Sequence, residues 1–264
     1  MIIETARNFS HLQDCLFEGS FNPGINRFRS AWAFRGLSDA GYSIVTSLMR
    51  LGGEYARLER HLMRNFIKYA HRDVEQEASL WHWLSVAQHH GLPTRLLDWT
   101  YSPLVAVHFA TSNIDKFDID GAIWAVNCEE ANKRLPAELC DALVEEGANI
   151  FTTQLLSKVV DTLDHFDRLS SSPFLLFFEP PSMDDRIVNQ YALFSVMSDP
   201  TLGLDNWFES HPDICRKIVI PAALKWEVRD KLDQCNLTER VLFPGLDGLS
   251  TWLKRHYSPS GQQQ

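Results

Sequence analysis

The 264-residue chain has little cysteine, no long apolar run and no excess of positive charge. Its five Cys stand at 15, 128, 140, 215 and 235, an odd number with no pair at CxxC spacing. That argues against a disulfide framework or a zinc cage, and it fits a reducing compartment. No apolar stretch approaches the roughly 20 residues needed to span a bilayer. The first residues, Met1-Ile2-Ile3-Glu4-Thr5-Ala6-Arg7, lack a basic region followed by an apolar one, so no signal peptide is expected. GxGxxG, the phosphate-binding P-loop and internal repeats are all missing. The formal net charge of −9 weighs against duplex nucleic acid as a partner, because phosphate neutralisation needs clustered Lys and Arg. These absences lead to the expectation of a soluble cytoplasmic protein, off the membrane and without a metal.

The charge that is present is uneven. Residues 27–112 carry ten Arg and Lys against seven Asp and Glu, with six of the ten His. Residues 113–264 carry fourteen against twenty-four. A local anion site and chance unevenness explain this equally well. The polar chemistry concentrates in Gln88-His89-His90-Gly91-Leu92-Pro93-Thr94-Arg95-Leu96-Leu97-Asp98-Trp99-Thr100-Tyr101-Ser102-Pro103. This reads as one long polar loop between two apolar helical patterns. Connections between helices are usually about two to eight residues and need none of these groups. Loops that carry them are where binding and catalysis concentrate.

Along the chain, residues 1–20 read as a lead-in helix or strand plus turn. Ala31–Arg35 reads as a short strand ending at Gly36, with Arg35 facing away from Trp32 and Phe34. Helical spacing of Tyr55, Leu58, Leu62, Phe66 and Tyr69 predicts a helix over 54–70, with Glu59 on a solvated face. A second helix is expected over roughly 75–90, stopped by Gly91 and Pro93. Ser102 and Pro103 then cap and open a third. Later strands are expected at Ala122–Val126, Pro173–Glu179, Ala192–Met197 and Lys217–Ile220. Helices are expected near 136–146, over 152–168, after Pro221 and over 248–257. Residues 258–264 read as a disordered tail. Helices clustered early and strands later argue α+β, with a mixed or antiparallel sheet core and an N-terminal helical cluster, as a single domain over 1–264.

Ala33-Phe34-Arg35-Gly36 and the stretch from Gln88 to Ala110 together resemble the FRG domain family, named for its Phe-Arg-Gly motif. The resemblance is firm over about 27–112. It extends loosely through Arg186–Phe194, where Ala192 replaces the usual Gly, and through Leu242–Leu249, to about 250. There is a more distant likeness to ADP-ribosyltransferases, whose motifs are an Arg on a strand, a Ser/Thr or His/Tyr motif, and a Gln-x-Glu or Glu-x-Glu motif. That likeness implies an ADP-ribosyltransferase-like fold and NAD or a related nucleotide as ligand. It implies Arg35 at the phosphates or ribose, Thr100 or Ser102 ordering the site, and Gln190 on the third motif. Ala192 stands at the transferase Glu position. Family analogy adds bacterial stress or phage defence as a setting.

Each residue keeps an alternative. Arg35 is a ligand clamp or half of an ion pair. Arg95 is a second clamp, or pairs with Asp98 to fix the loop. Asp98 is a general base, holds His89 or His90 in one tautomer, or caps the next helix. His89 and His90 end a helix, where the dipole favours a cation, and at most one of them faces a pocket. Trp99 stacks on a base or nicotinamide, or anchors the loop to the core. Thr100 and Ser102 contact the ligand, or Ser102 only caps. Gln190 is an amide contact or packs on Arg186. A metal site from His89, His90, Asp98 and His108 has no recognised spacing behind it. The function is therefore either an enzyme with His89, Asp98 and Thr100 as catalytic groups, or a non-catalytic module sensing a nucleotide or protein partner. A nuclease is the weakest reading.

Overall fold

The computed structural model describes residues 1–72, 74 and 78–259. The order opens with β1 (Ile2–Thr5), α1 (Phe9–Phe17), the hairpin of β2 (Phe21–Asn22) and β3 (Arg27–Phe28), and β4 (Trp32–Leu37). Then come α2 (Tyr55–Ala70), α3 (Leu80–His89), β5 (Leu96–Thr100), α4 (Pro103–Ala110) and β6 (Gly121–Asn127). The acidic half holds α5 (Cys128–Asn132), α6 (Ala137–Glu146), β7 (Phe151–Thr152), α7 (Thr153–Val159), α8 (Leu163–Arg168) and β8 (Leu175–Glu179). It ends with α9 (Asp185–Asn189), β9 (Ala192–Met197), α10 (Leu204–Ser210), β10 (Cys215–Ile220), α11 (Lys225–Gln234), α12 (Glu239–Leu242) and α13 (Leu246–His256).

Eight strands make one sheet in the order β1-β10-β6-β4-β5-β9-β8-β7, with parallel pairs at both ends and antiparallel pairs between. The fold is α+β with a large mixed sheet. None of the described helices is long and apolar enough to cross a membrane. Three apolar clusters fill the two faces, and α4 packs on the β4 side with Phe34, Ala106 and Ile123.

The central correction concerns the stretch 88–103. It is not one loop: Leu96–Thr100 is a sheet strand, paired with β9 from Leu96–Val196 to Thr100–Ala192. Alternation drives this, because Leu97 and Trp99 enter one apolar cluster while Asp98 and Thr100 point to the other face. By contrast, β5 meets β4 at only one register pair, Phe34–Thr100. Beyond that pair the sheet parts.

Other differences have local causes. The predicted 152–168 helix breaks in two at Val160, whose carbonyl accepts the Trp81 indole N–H at 2.8 Å, and Thr162 caps the second half. Helix α2 buries Glu59 and Met63 and leaves Leu58 and Tyr69 exposed, because Glu59 answers a buried arginine. Helix α3 begins at Leu80 with Ser79 as its cap, and residue 75, its expected start, lies outside the described residues. The last five residues of the expected tail also lie outside them.

Candidate functional site

The parting of β4 and β5 opens a cleft of about 200 Å³ lined by Phe34, Arg35, Gly36, Asp98, Trp99, Thr100, Phe109, Arg186, Gln190 and Ala192. Each residue of the Phe-Arg-Gly motif has its own task there. Phe34 is buried under α4. Gly36 lies against the α4 backbone, where a Cβ would come 1.9 Å from the Ala106 carbonyl oxygen. Arg35, on the opposite pleat from both, sends its guanidinium into the gap.

Arg35 Nη1 donates to the Asp98 main-chain carbonyl at 2.5 Å and lies 3.9 Å from Asp98 Oδ2. Arg35 Nε has no hydrogen-bond partner among the described residues. Burial holds the guanidinium below its ordinary pKa; the Asp98 carboxylate opposes this and Arg50 adds to it. An incompletely compensated buried cation favours an anion beside it. The Asp98 side chain is 60% exposed, and its Oδ2 accepts from the Gln88 amide at 2.9 Å. So Asp98 neither caps a helix nor holds a histidine: Gln88 orients it at the rim.

The remaining expected residues divide. Thr100 lines the cleft, but its hydroxyl donates to the Gln190 carbonyl at 2.7 Å and accepts the Ser102 N–H at 3.0 Å. A hydroxyl so engaged ties β5 to the turn after α9. Ser102 caps α4 through the Val105 N–H, with Pro103 behind it, and lies outside the cleft lining. Gln190 lines the cleft beside Arg186 and donates its amide N–H to the Leu242 carbonyl at 2.9 Å.

Trp99 has its indole in the core, donating to Ser195 Oγ at 2.8 Å and meeting Phe177 edge-on. It lines the cleft while its indole anchors β5 to the core. Arg95 is a correction as well. It is buried away from the cleft and from Asp98, with Nε and Nη2 on Glu59 and Nη1 on Asp167. Burial alone would lower its pKa, but Glu59 and Asp167 outweigh burial and raise it. This trio fastens α2 and α8 to β5.

His89 stands beside the cleft. Its Nε2 is 2.7 Å from Asp184 Oδ2, in a depression of about 380 Å³ lined also by Arg186, Phe243 and Asp247. Arg186 lines both spaces and lies over the Phe243 ring at 5.1 Å. Asp184 also caps α9 through the Ile187 N–H. Burial works against its ionisation, but the Ile187 N–H and the His89 ring outweigh it and hold the carboxyl below the usual range. His90 is exposed. His108 is fully buried against Arg229 at 2.9 Å, so the four-residue metal grouping does not assemble.

Sequence reasoning missed Arg186, Asp184 and Phe109. Arg186 sits in the short helix α9 and Asp184 caps it, but nothing in the sequence said that this helix docks beside β5. The family model of the FRG domain matches residues 30–119, so the chain carries an FRG domain. That span includes β4, β5 and α4; Arg186, Gln190 and Ala192, which close the cleft, lie beyond it. No curated protein and no solved structure matches the chain.

Proposed function

We propose that the β4–β5 cleft binds a nucleotide, that NAD is its ligand, and that the protein cleaves the nicotinamide glycosidic bond as an ADP-ribosyltransferase-like enzyme. The observation that carries the reading is Arg35: a guanidinium in a gap of the sheet, with Nε free among the described residues and one exposed carboxylate 3.9 Å away. Ligand pockets usually hold about 300–1,000 Å³. The cleft is smaller, so it takes one ring or one phosphate, and the rest of a dinucleotide extends past Arg186 over the adjoining depression.

Cleavage of this bond passes through an oxocarbenium-like state that a nearby carboxylate stabilises. Ala192, at the position where transferases carry Glu, offers none. Asp98 does, from the neighbouring strand: Thr100 pairs with Ala192, and Asp98 lies one pleat further along the same face. Gln88 holds that carboxylate, and the His89–Asp184 pair stands at the edge of the site for proton transfer. A second reading, binding without turnover, is favoured by the internal commitment of Thr100 and by Ala192.

Incubating the full chain with NAD and following nicotinamide separates the two. Release that disappears in Asp98→Asn supports catalysis. An NAD-dependent thermal shift without release supports the sensor. Neither shift nor release overturns the NAD reading.

A further inference from the structure

At the β1 edge of the sheet, on the same face as α4, β1 and α1 bring three unlike side chains together. His11 and Cys15 are one helical turn apart, on one face of α1. Glu4 comes from β1, held in register by its pairing with β10 at Ile218. His11 Nε2 is 3.2 Å from Glu4 Oε1 and 3.8 Å from Cys15 Sγ, and the three donor atoms all lie within 4.8 Å of one another. Tetrahedral zinc with ordinary bond lengths would set the N···O and N···S edges at about 3.4 and 3.6 Å. The observed separations bracket those values.

We propose that Glu4, His11 and Cys15 form a site for a borderline-soft divalent cation, Zn²⁺ foremost, with a fourth coordination position open to solvent. The donor set of one imidazole, one thiolate and one carboxylate selects for zinc over hard cations such as Ca²⁺ or Mg²⁺. A depression of about 620 Å³ lies over the three residues, giving an entry path and room for a water ligand, and Asp14 and Glu18 on its wall add negative charge. The nearby Arg216 is occupied, with its guanidinium on Glu18 at 3.0 Å and over the Trp32 ring at 4.4 Å.

The same three residues do not make a nucleophilic relay. A relay needs the base and the orienting carboxylate on different ring nitrogens. Here Glu4 and Cys15 both address Nε2, while Nδ1 accepts the Arg7 N–H at 3.2 Å. Without a cation, burial and Glu4 push the Cys15 thiol up to about 11, which leaves it unreactive at neutral pH. Binding displaces the thiol proton to solvent, moves the ring proton to Nδ1 and gives up the long contact with Arg7.

The test is a titration of the metal-free full chain with Co²⁺, read by thiolate-to-cobalt charge-transfer absorption. One equivalent is expected to produce the band, Cys15→Ser to abolish it, and Cys235→Ser, at an exposed thiol, to leave it unchanged. Glu4→Gln changes a half-exposed side chain, so the fold is retained, and affinity is expected to drop at least about tenfold. No band in the native chain, a band that survives Cys15→Ser, or an affinity unmoved by Glu4→Gln overturns the proposal.

Discussion

Arg35 bridges to the main-chain carbonyl of Asp98 at 2.5 Å, across a gap where β4 and β5 no longer pair strand to strand. A side chain thus takes over where the ladder stops, and the sheet stays joined while a cleft opens through it. One charged group serves structure with Nη1 and keeps a buried Nε without a hydrogen-bond partner among the described residues.

The gap depends on Gly36. Its missing Cβ lets α4 rest on β4, so Gly36→Ala forces strand and helix apart. Overpacking of this kind costs about 1–3 kcal/mol, and backbone on the far side leaves little room to yield. Urea denaturation is expected to show a lower midpoint, together with weaker ligand binding, because β4 carries Arg35.

Arg95→Ala is expected to behave differently. It strands the buried Glu59 carboxylate and frees Asp167. Removing one partner of a buried ion pair costs about 3–5 kcal/mol. The denaturation midpoint falls sharply, while nucleotide affinity per folded molecule stays near the native value. A selective loss of affinity with unchanged stability would return Arg95 to the cleft.

His108 sets a pH dependence. Burial, and then Arg229, lower its pKa from 6.5 to about 3 in the folded state. The unfolded chain therefore takes up a proton that the folded chain refuses. Stability from this group is complete above about 6.5 and erodes as pH falls toward about 3, with a limiting slope of about 1.4 kcal/mol per pH unit. In His108→Gln, the stability–pH profile between those values is expected to be flatter by about one proton.

Asp184→Asn tests the edge of the cleft. The neutral amide still caps α9, so stability changes by less than about 1 kcal/mol. His89 loses its charged partner, and the rate of nicotinamide release is expected to fall, while NAD affinity is retained.

How much of this was legible varies by residue. The Phe-Arg-Gly motif and the cap at Ser102-Pro103 were readable, because their chemistry is local. The strand Leu96–Thr100 was not. Its five residues stand among prolines and polar groups, and only alternation across Asp98 and Thr100 betrayed it. Glu59 read as solvent-facing because its partner, Arg95, lies 36 residues away. Asp184 as the partner of His89, and the Glu4–His11–Cys15 grouping, depend on how distant segments dock, which spacing along one chain does not express. Arg95, Trp99 and Thr100 were visible as polar or aromatic groups, yet the same residue types serve a core as readily as a ligand.

The most direct measurement is a calorimetric titration of NAD into the native chain and into Arg35→Ala. Arg35→Ala gives up one hydrogen bond, about 1 kcal/mol, and is expected to stay folded. Binding in the native chain that weakens at least about tenfold in the variant, or about 1.4 kcal/mol, is the predicted result. Equal affinity in both, with the variant folded, would contradict the assignment of the β4–β5 cleft as the nucleotide site.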